Sequence, residues 1–419
     1  MIRTLPAASL AALLSVSAAQ ALPITLLKTL APSDAPANSG FGESVAISGG
    51  DVLVGASGVA ANAGAAYFYA DAAGAAVETK LTASDGQNFD RFGASVALDG
   101  GRALIGAYGD NPTGSGGGYT GQGAAYLFSD LGGSNAEVKL TAPDGAASDN
   151  FGTSVDLSGD RALVGAPDDG RGSGWLFAGL DDTLSGIKLH ADSDSRMITL
   201  GTSVALADGL ALLGAPGANA TSGSNEAGRV QAFDGGGALV LNMDHPVQIL
   251  DADFGFALDA SGDSLLVGAP GHTESGANYR GSAFIVHDVD GTPSVIRLLA
   301  PGAADYDYFG SRVALSGDYA VVSAPGVDGP AYGTVYVFDA ATGAFLDSLS
   351  SPAAANEGFG SAIALFGDLL VVGASTAGKA YVYSLSGAAP SSAGPLPAAA
   401  PLLAAGLGGL AALRRRRRG

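Results

Sequence analysis

The chain has no cysteine among its 419 residues. Disulfide bridges and thiolate metal centres are thereby excluded. Charge is also scarce. Asp, Glu, Lys and Arg make up 14% of the residues, with 20 basic against 40 acidic. A net charge of −20 provides no field for holding nucleic acid or an anionic membrane. There is a single tryptophan. The four histidines, His190, His245, His272 and His287, are scattered, with no HExxH or paired spacing. What abounds is glycine, at 65 residues, with 19 prolines and an apolar fraction of 47%. That mixture suits short strands joined by tight turns, and it is too apolar and too regular for a disordered chain.

The regularity is a phrase repeated seven times. Copies read FGASVALDGGRALIGA (92–107), FGTSVDLSGDRALVGAP (151–167) and FGSRVALSGDYAVVSAP (309–325). The lead residues are Phe41, Phe92, Phe151, Leu200, Phe254, Phe309 and Phe359, each followed by glycine. A period of about 50 residues marks one supersecondary unit copied and stacked.

The third copy shows what the unit is. Residues 153–157 alternate apolar with small or polar residues, as a half-buried strand does. Ser158-Gly159-Asp160 makes a turn, and residues 161–165 form a second strand that ends before Pro167. A third strand begins at Gly174-Trp175-Leu176-Phe177 and a fourth holds Ile187-Lys188-Leu189. Four short antiparallel strands per repeat make a propeller blade. The seventh copy lacks a fourth strand, whereas residues 26–32 before the first copy read like one. The predicted fold is therefore all-β: a seven-bladed β-propeller of four-stranded antiparallel blades, its ring closed by an N-terminal strand. The fourth strand repeats a basic position at Lys80, Lys139, Lys188 and Arg297, which reads as an exposed edge charge that discourages sheet-to-sheet pairing.

Both termini carry processing patterns. An apolar stretch at 5–16 follows Arg3, and Ala19-Gln20-Ala21 fits a small-x-small cleavage site. Residues 1–21 read as a secretory signal peptide cut after Ala21, with a buried helix as the alternative. At the other end, residues 396–413 hold no charge and precede five arginines, 414–418. Eighteen helical residues nearly span a hydrocarbon core of about 30 Å. An arginine cluster stays on the cytoplasmic side. With Gly394-Pro395-Leu396-Pro397 in front, the tail resembles PEP-CTERM sorting signals of the VPLPA type. The leading valine and the glutamate of the commoner form are missing. The resemblance implies an exosortase as partner, with Pro395, Leu396 and Pro397 in the processing motif, and release or attachment at the surface of a Gram-negative bacterium. A plain membrane anchor is the alternative. The expected organisation is a signal peptide at 1–21, a propeller at 22–386, a linker at 387–395, and a sorting or transmembrane segment at 396–419. Six of the 20 basic residues lie in the two signals, which contain no acid. Fourteen then remain against 40 acids, a net −26 for the propeller.

The repeated phrase resembles the FG-GAP repeat of integrin α-subunit propellers and their bacterial relatives. Phe151-Gly152 is the FG, and Gly165-Ala166-Pro167, Gly214-Ala215-Pro216 and Gly268-Ala269-Pro270 keep the whole GAP. Many such blades carry a DxDxDG calcium loop between strands one and two. Here those connections are as short as Ser158-Gly159-Asp160 or Asp208-Gly209 and supply too few carboxylates to wrap the ion. No metal or cofactor site is predicted.

Candidate chemistry elsewhere is thin. Asp192 and Asp194, Asp251 and Asp253, and Asp305 and Asp307 form acid-x-acid pairs that would share a face on a strand. Such pairs can start a cation site or a glycosidase acid/base pair, but turn-forming and solubilising aspartates explain them as well. Gly93-Ala94-Ser95 and Gly152-Thr153-Ser154 look like half of a nucleophile elbow without its closing glycine. Trp175 takes the third-strand place of Tyr67 and Tyr126 and reads as core. No catalytic constellation emerges. The variable loops at 108–122, 217–228, 271–281 and 326–333 fall on one face of the predicted ring. The expected function is a non-enzymatic surface or matrix scaffold that binds an extracellular protein or polysaccharide there. A secreted glycan hydrolase or lyase is the alternative.

Overall fold

A computed structural model describes residues 22–386, apart from 35, 37–38, 112–120, 191–198, 219–226, 248–250, 274–277, 290–292, 327–332 and 354–355. The segments expected to be a signal peptide, a linker and a sorting tail, with Ala21, Pro395, Leu396 and Pro397, lie outside the described residues. Among the described residues no helix is long and apolar enough to cross a membrane.

Seven four-stranded antiparallel sheets form the blades. Blades 1 to 6 occupy residues 44–81, 95–140, 154–190, 203–244, 257–298 and 312–350. Blade 7 takes three strands from 359–384, and its outer strand is Thr25–Leu30 from the other end of the propeller. Leu30 pairs with Ala380 and Thr29 with Tyr381, so the ring is closed by hydrogen bonds as the sequence predicts.

Strand order within a blade follows from turn chemistry. Asp99 pairs with Arg102 across Gly100-Gly101, both at positive φ, which a two-residue hairpin of matching twist requires. The second strands are buried beyond their first residue, as in Val52, Leu53 and Val54 at 0% exposure. They are sandwiched between neighbouring blades, so each hydrophobic core belongs to two of them. One such core joins Leu53 and Phe68 of blade 1 to Phe92, Ile105 and Tyr126 of blade 2.

The repeated phrase supplies the joints between blades. All seven lead residues, from Phe41 to Phe359, are fully buried. Phe92 meets Tyr126 edge-on at 5.4 Å, and Phe41 meets Tyr67 at 5.5 Å. The GAP glycine faces the FG glycine of the next blade. A Cβ on Gly106 would sit 2.0 Å from the Gly152 carbonyl oxygen. Blade 6 carries Ser323 there instead, and the facing inner strand of blade 7, Phe359–Phe366, is irregular between Phe359 and Ile363.

The Gly-x-Ser serines turn out to be part of the same joint. The hydroxyls of Ser44, Ser95, Ser154 and Ser203 donate to the carbonyls of Gly93, Gly152, Gly201 and Gly255 at 2.7–2.8 Å. Each bond crosses to the next blade. These hydroxyls are occupied as structural donors, which removes the reading as half of a nucleophile elbow.

Candidate functional site

Loops after the second strands run beside the loops that cross from blade to blade. Gly109 N–H donates to the Asp90 carbonyl at 3.1 Å, and Tyr306 N–H to the Asn278 carbonyl at 2.8 Å. The described ends of the variable segments therefore lie on the face of the blade crossings. The short hairpin turns lie opposite and bond to one another, as where Gly159 N–H donates to Asp99 Oδ2 at 2.7 Å.

On the loop face blades 1 to 3 repeat a charged latch. Lys139 Nζ lies 2.7 Å from Asp85, 2.8 Å from Asp110 and 5.2 Å from the centroid of Tyr126. The Tyr126 hydroxyl reaches both carboxylates. Lys80 pairs with Asp34 at 2.8 Å over Tyr67. Lys188 pairs with Asp144 and Asp169 at 2.7 and 2.6 Å over Trp175. Asp34, Asp85 and Asp144 each follow the outer strand of the preceding blade, so the latch ties neighbours together. Burial pulls the Lys139 ammonium down, but its bonds to Asp110 and Asp85 outweigh that and leave it raised. Burial, then Asp110 and Asp85, hold the Tyr126 phenol far above its ordinary range. The basic position predicted as an exposed edge charge is thus engaged in ion pairs in blades 1 to 3, half-buried at Lys139 and Lys188 and exposed at Lys80. Trp175 is core as predicted, 6% exposed and stacked on Phe177.

Blade 5 keeps the latch positions and changes their chemistry. Phe284 pairs with Arg297 where Tyr126 pairs with Lys139. His272 stands as far beyond its GAP glycine as Asp110 and Asp169 do beyond theirs. His272 Nε2 is 2.8 Å from an Arg297 nitrogen, and His272 Nδ1 is 3.2 Å from His245 Nε2. Both histidines are 1% exposed. Burial, then His272 and Arg297, press the His245 imidazole down to about 3, so it is neutral. The next crossing carries Gly302 where Asp85 and Asp144 stand elsewhere, and blade 6 carries Ser348 in the lysine register. A cavity of about 270 Å³ lies there, lined by His272, Arg280, Arg297 and the backbone around Gly302.

Beside it three tyrosines stack. The Tyr279 ring lies 5.9 Å from Tyr306 and 5.6 Å from Tyr308, inclined by 29° and 27°. Arg280 lines the cavity and holds Asp305 at 3.0 Å, linking the tyrosines to it. Scattered histidines and isolated tyrosines gave no signal singly. Overlaying the blades position by position would have found them.

The acid-x-acid pairs do not converge. Asp305 binds Arg280, while Asp307 accepts the Ala304 N–H at 2.6 Å and closes its own loop. Asp90 and Asp149 close their loops in the same way. Asp251 and Asp253 both take positive φ in a crossing loop rather than sharing a strand face. Asp192 and Asp194 lie outside the described residues. Ser264 Oγ lies 2.9 Å from His287 Nδ1, but His287 Nε2 is buried with no carboxylate to orient it.

The axial channel holds two carboxylates that sequence reading passed over. Asp156 accepts the N–H of Leu157 and of Leu206 in the next blade. Asp259 does the same with Ala260 and Leu315. Both line a channel segment of about 220 Å³. Burial raises Asp156 to about 6 and Asp259 to about 7.

The FG-GAP repeat family matches residues 25–69, 76–128, 135–177 and 294–338. Each match starts on or just before an outer strand and ends within the third strand of the following blade. No curated protein matches the chain. Among solved structures, the β-propeller domain of Myceliophteria thermophila Cps50 (Swd1) is similar, with a TM-score of 0.54 at 14% identity over 85% of this chain and 99% of that one. At that identity the likeness concerns the fold alone. The chain is a seven-bladed β-propeller whose blades 1, 2, 3 and 6 match the FG-GAP repeat.

Proposed function

We propose that this propeller is exported by a Gram-negative bacterium and acts as a non-enzymatic binding scaffold at the cell surface or in the extracellular matrix. Its ligand, an extracellular protein or polysaccharide, docks on the variable loop face. The observation that carries the reading is how the shared residues are used. The FG phenylalanines, the GAP glycines, the serines and the lysine latches all join blade to blade. Residues free to recognise a partner are those where the blades diverge, and they gather on one face. The terminal sequences support export, with removal of 1–21 and an exosortase-type partner for the tail. A screen of the purified protein against glycans and secreted proteins tests the binding reading. Capture that is lost when variable-face loops are replaced supports it. Turnover of a glycan, with product released, contradicts it.

A further inference from the structure

The loop-face mouth of the axial channel departs from the repeat on two neighbouring strands. Each inner strand starts at a blade crossing, and the first residues of the inner strands ring a cavity of about 350 Å³. Blades 1 to 4 open that strand on Ser44, Ser95, Ser154 and Ser203, and blades 5 and 7 place Ala257 and Ala362 there. Blade 6 carries Arg312 in the same register. One residue earlier, blades 2 to 4 have Ala94, Thr153 and Thr202, whereas blade 5 has Phe256, 36% exposed. A single exposed ring is ordinary. An exposed ring and an arginine on adjacent inner strands of one cavity are not repeat scaffold.

Glu43 and Arg312 are the charged side chains that line this cavity, and they do not pair with each other. Glu43 accepts the Ser57 N–H at 2.5 Å, in the loop after the second strand of its own blade. Arg312 Nη1 donates to the carbonyl of the adjacent Ser311 at 2.7 Å, and among the described residues no carboxylate pairs with it. In a chain with two acids for every base, that pairing would be easy to find. The side chain is exposed to the lumen, yet the surrounding strands desolvate it enough to draw the guanidinium below its ordinary range. The rim hydroxyls are engaged elsewhere. The serines bond across the blade joints, and Thr153 and Thr202 donate to the carbonyls of Asn150 and Thr199 at 2.7 Å. Deeper in the channel, Asp259 is held by the Leu315 N–H, three residues along the strand from Arg312. The mouth therefore offers a guanidinium fork beside an aromatic ring and aliphatic side chains such as Val155 and Leu258.

We propose that the channel mouth binds a small organic acid, its single carboxylate on Arg312 and its apolar body against Phe256 and the aliphatic ring. A guanidinium grips a carboxylate through two parallel N–H···O bonds. A concave, largely apolar wall with one convergent charged group is the usual make-up of a small-molecule site. Asp156 and Asp259 lower in the channel disfavour a second negative charge, so a monoacid suits it better than a diacid. The inference goes beyond the loop-face reading, since a small molecule in the channel neither needs nor excludes a macromolecule on the loops.

Calorimetry with the purified full chain compares 3-phenylpropionate, 3-phenylpropionamide and inorganic phosphate. The acid is expected to bind at least tenfold more tightly than either of the others. Arg312→Ala is expected to abolish the preference for acid over amide while Tm stays level, because alanine holds the same register in blades 5 and 7. Phe256→Thr, which installs the residue of blades 3 and 4, is expected to weaken acid and amide alike, at least threefold. Arg161→Ala removes the same charge at a hairpin of the opposite face and is expected to leave binding unchanged. No binding of the acid, equal binding of the amide or phosphate, or an acid preference that survives Arg312→Ala overturns the proposal. An acid preference lost equally in Arg161→Ala would reflect net charge alone and overturns it too. The screen for loop-face partners does not bear on these outcomes, so the two readings fail separately.

Discussion

The Ser361 hydroxyl donates to the carbonyl oxygen of Gly42 at 2.9 Å, joining residues 319 positions apart. It is the blade-to-blade serine bond made once more, between blade 7 and blade 1. Gly373 lies against the same carbonyl, where a Cβ would come within 2.0 Å of the oxygen. Ser361→Ala is expected to cost about 1 kcal/mol, the usual worth of one hydrogen bond. Gly373→Ala forces backbone against backbone at the seam and should lower Tm by clearly more. Thermal melts of the two variants decide; equal shifts would remove the seam from the account.

The latches differ in how deeply their acids are buried. Asp110 is 5% exposed, whereas Asp34 is 52% exposed. Lys139→Met leaves a buried carboxylate without its cation and is expected to cost about 3 kcal/mol. Lys80→Met breaks a solvated pair and is expected to cost less than about 1 kcal/mol. Chemical denaturation of both variants measures the difference. A costlier Lys80→Met would contradict the burial argument.

The channel aspartates predict a pH dependence of definite sign. Burial raises Asp156 to about 6 and Asp259 to about 7. Between the unfolded value near 4 and those values, the folded chain holds protons that the unfolded chain has released. Their contribution to stability is therefore greatest at low pH, falls as pH rises from about 4 to 7, and is flat above. His245, pressed down to about 3, contributes with the opposite sign below its ordinary range. The clean reading is a difference. Replacing both aspartates with alanine should make the slope of Tm against pH between 4 and 7 less negative than in the parent. An unchanged slope would show that these carboxyls do not titrate with folding.

The tail supplies a cellular test. Deleting residues 395–419 is expected to change retention of the protein in the cell envelope, measured by fractionation and immunoblot. Unchanged retention would remove the sorting signal from the account.

Much of the ring is legible in the sequence because its constraints are local and repeated seven times. Phe-Gly marks where each blade meets the last, Gly-Ala marks the second strand, and residues 26–32 read as the closing strand. The lysines were harder. Lys139 reads as an edge charge until Asp85 and Asp110, 54 and 29 residues earlier, are placed beside it. The serines look like fragments of a catalytic motif because their acceptors are carbonyls in the next blade. His245, His272 and Arg297 come from three separate segments, and only blade-by-blade registration shows that they replace a latch. Asp156 and Asp259 stand where other blades carry alanine, a departure that means little until the inner strands are seen to line a channel.

The central claim is that recognition belongs to the loop face where the blades differ. Hydrogen–deuterium exchange of the protein with a captured partner tests it most directly. The account predicts protection in the loops after the second strands and in the blade crossings. Protection confined to the short-turn face or to the inner strands of the channel would contradict it.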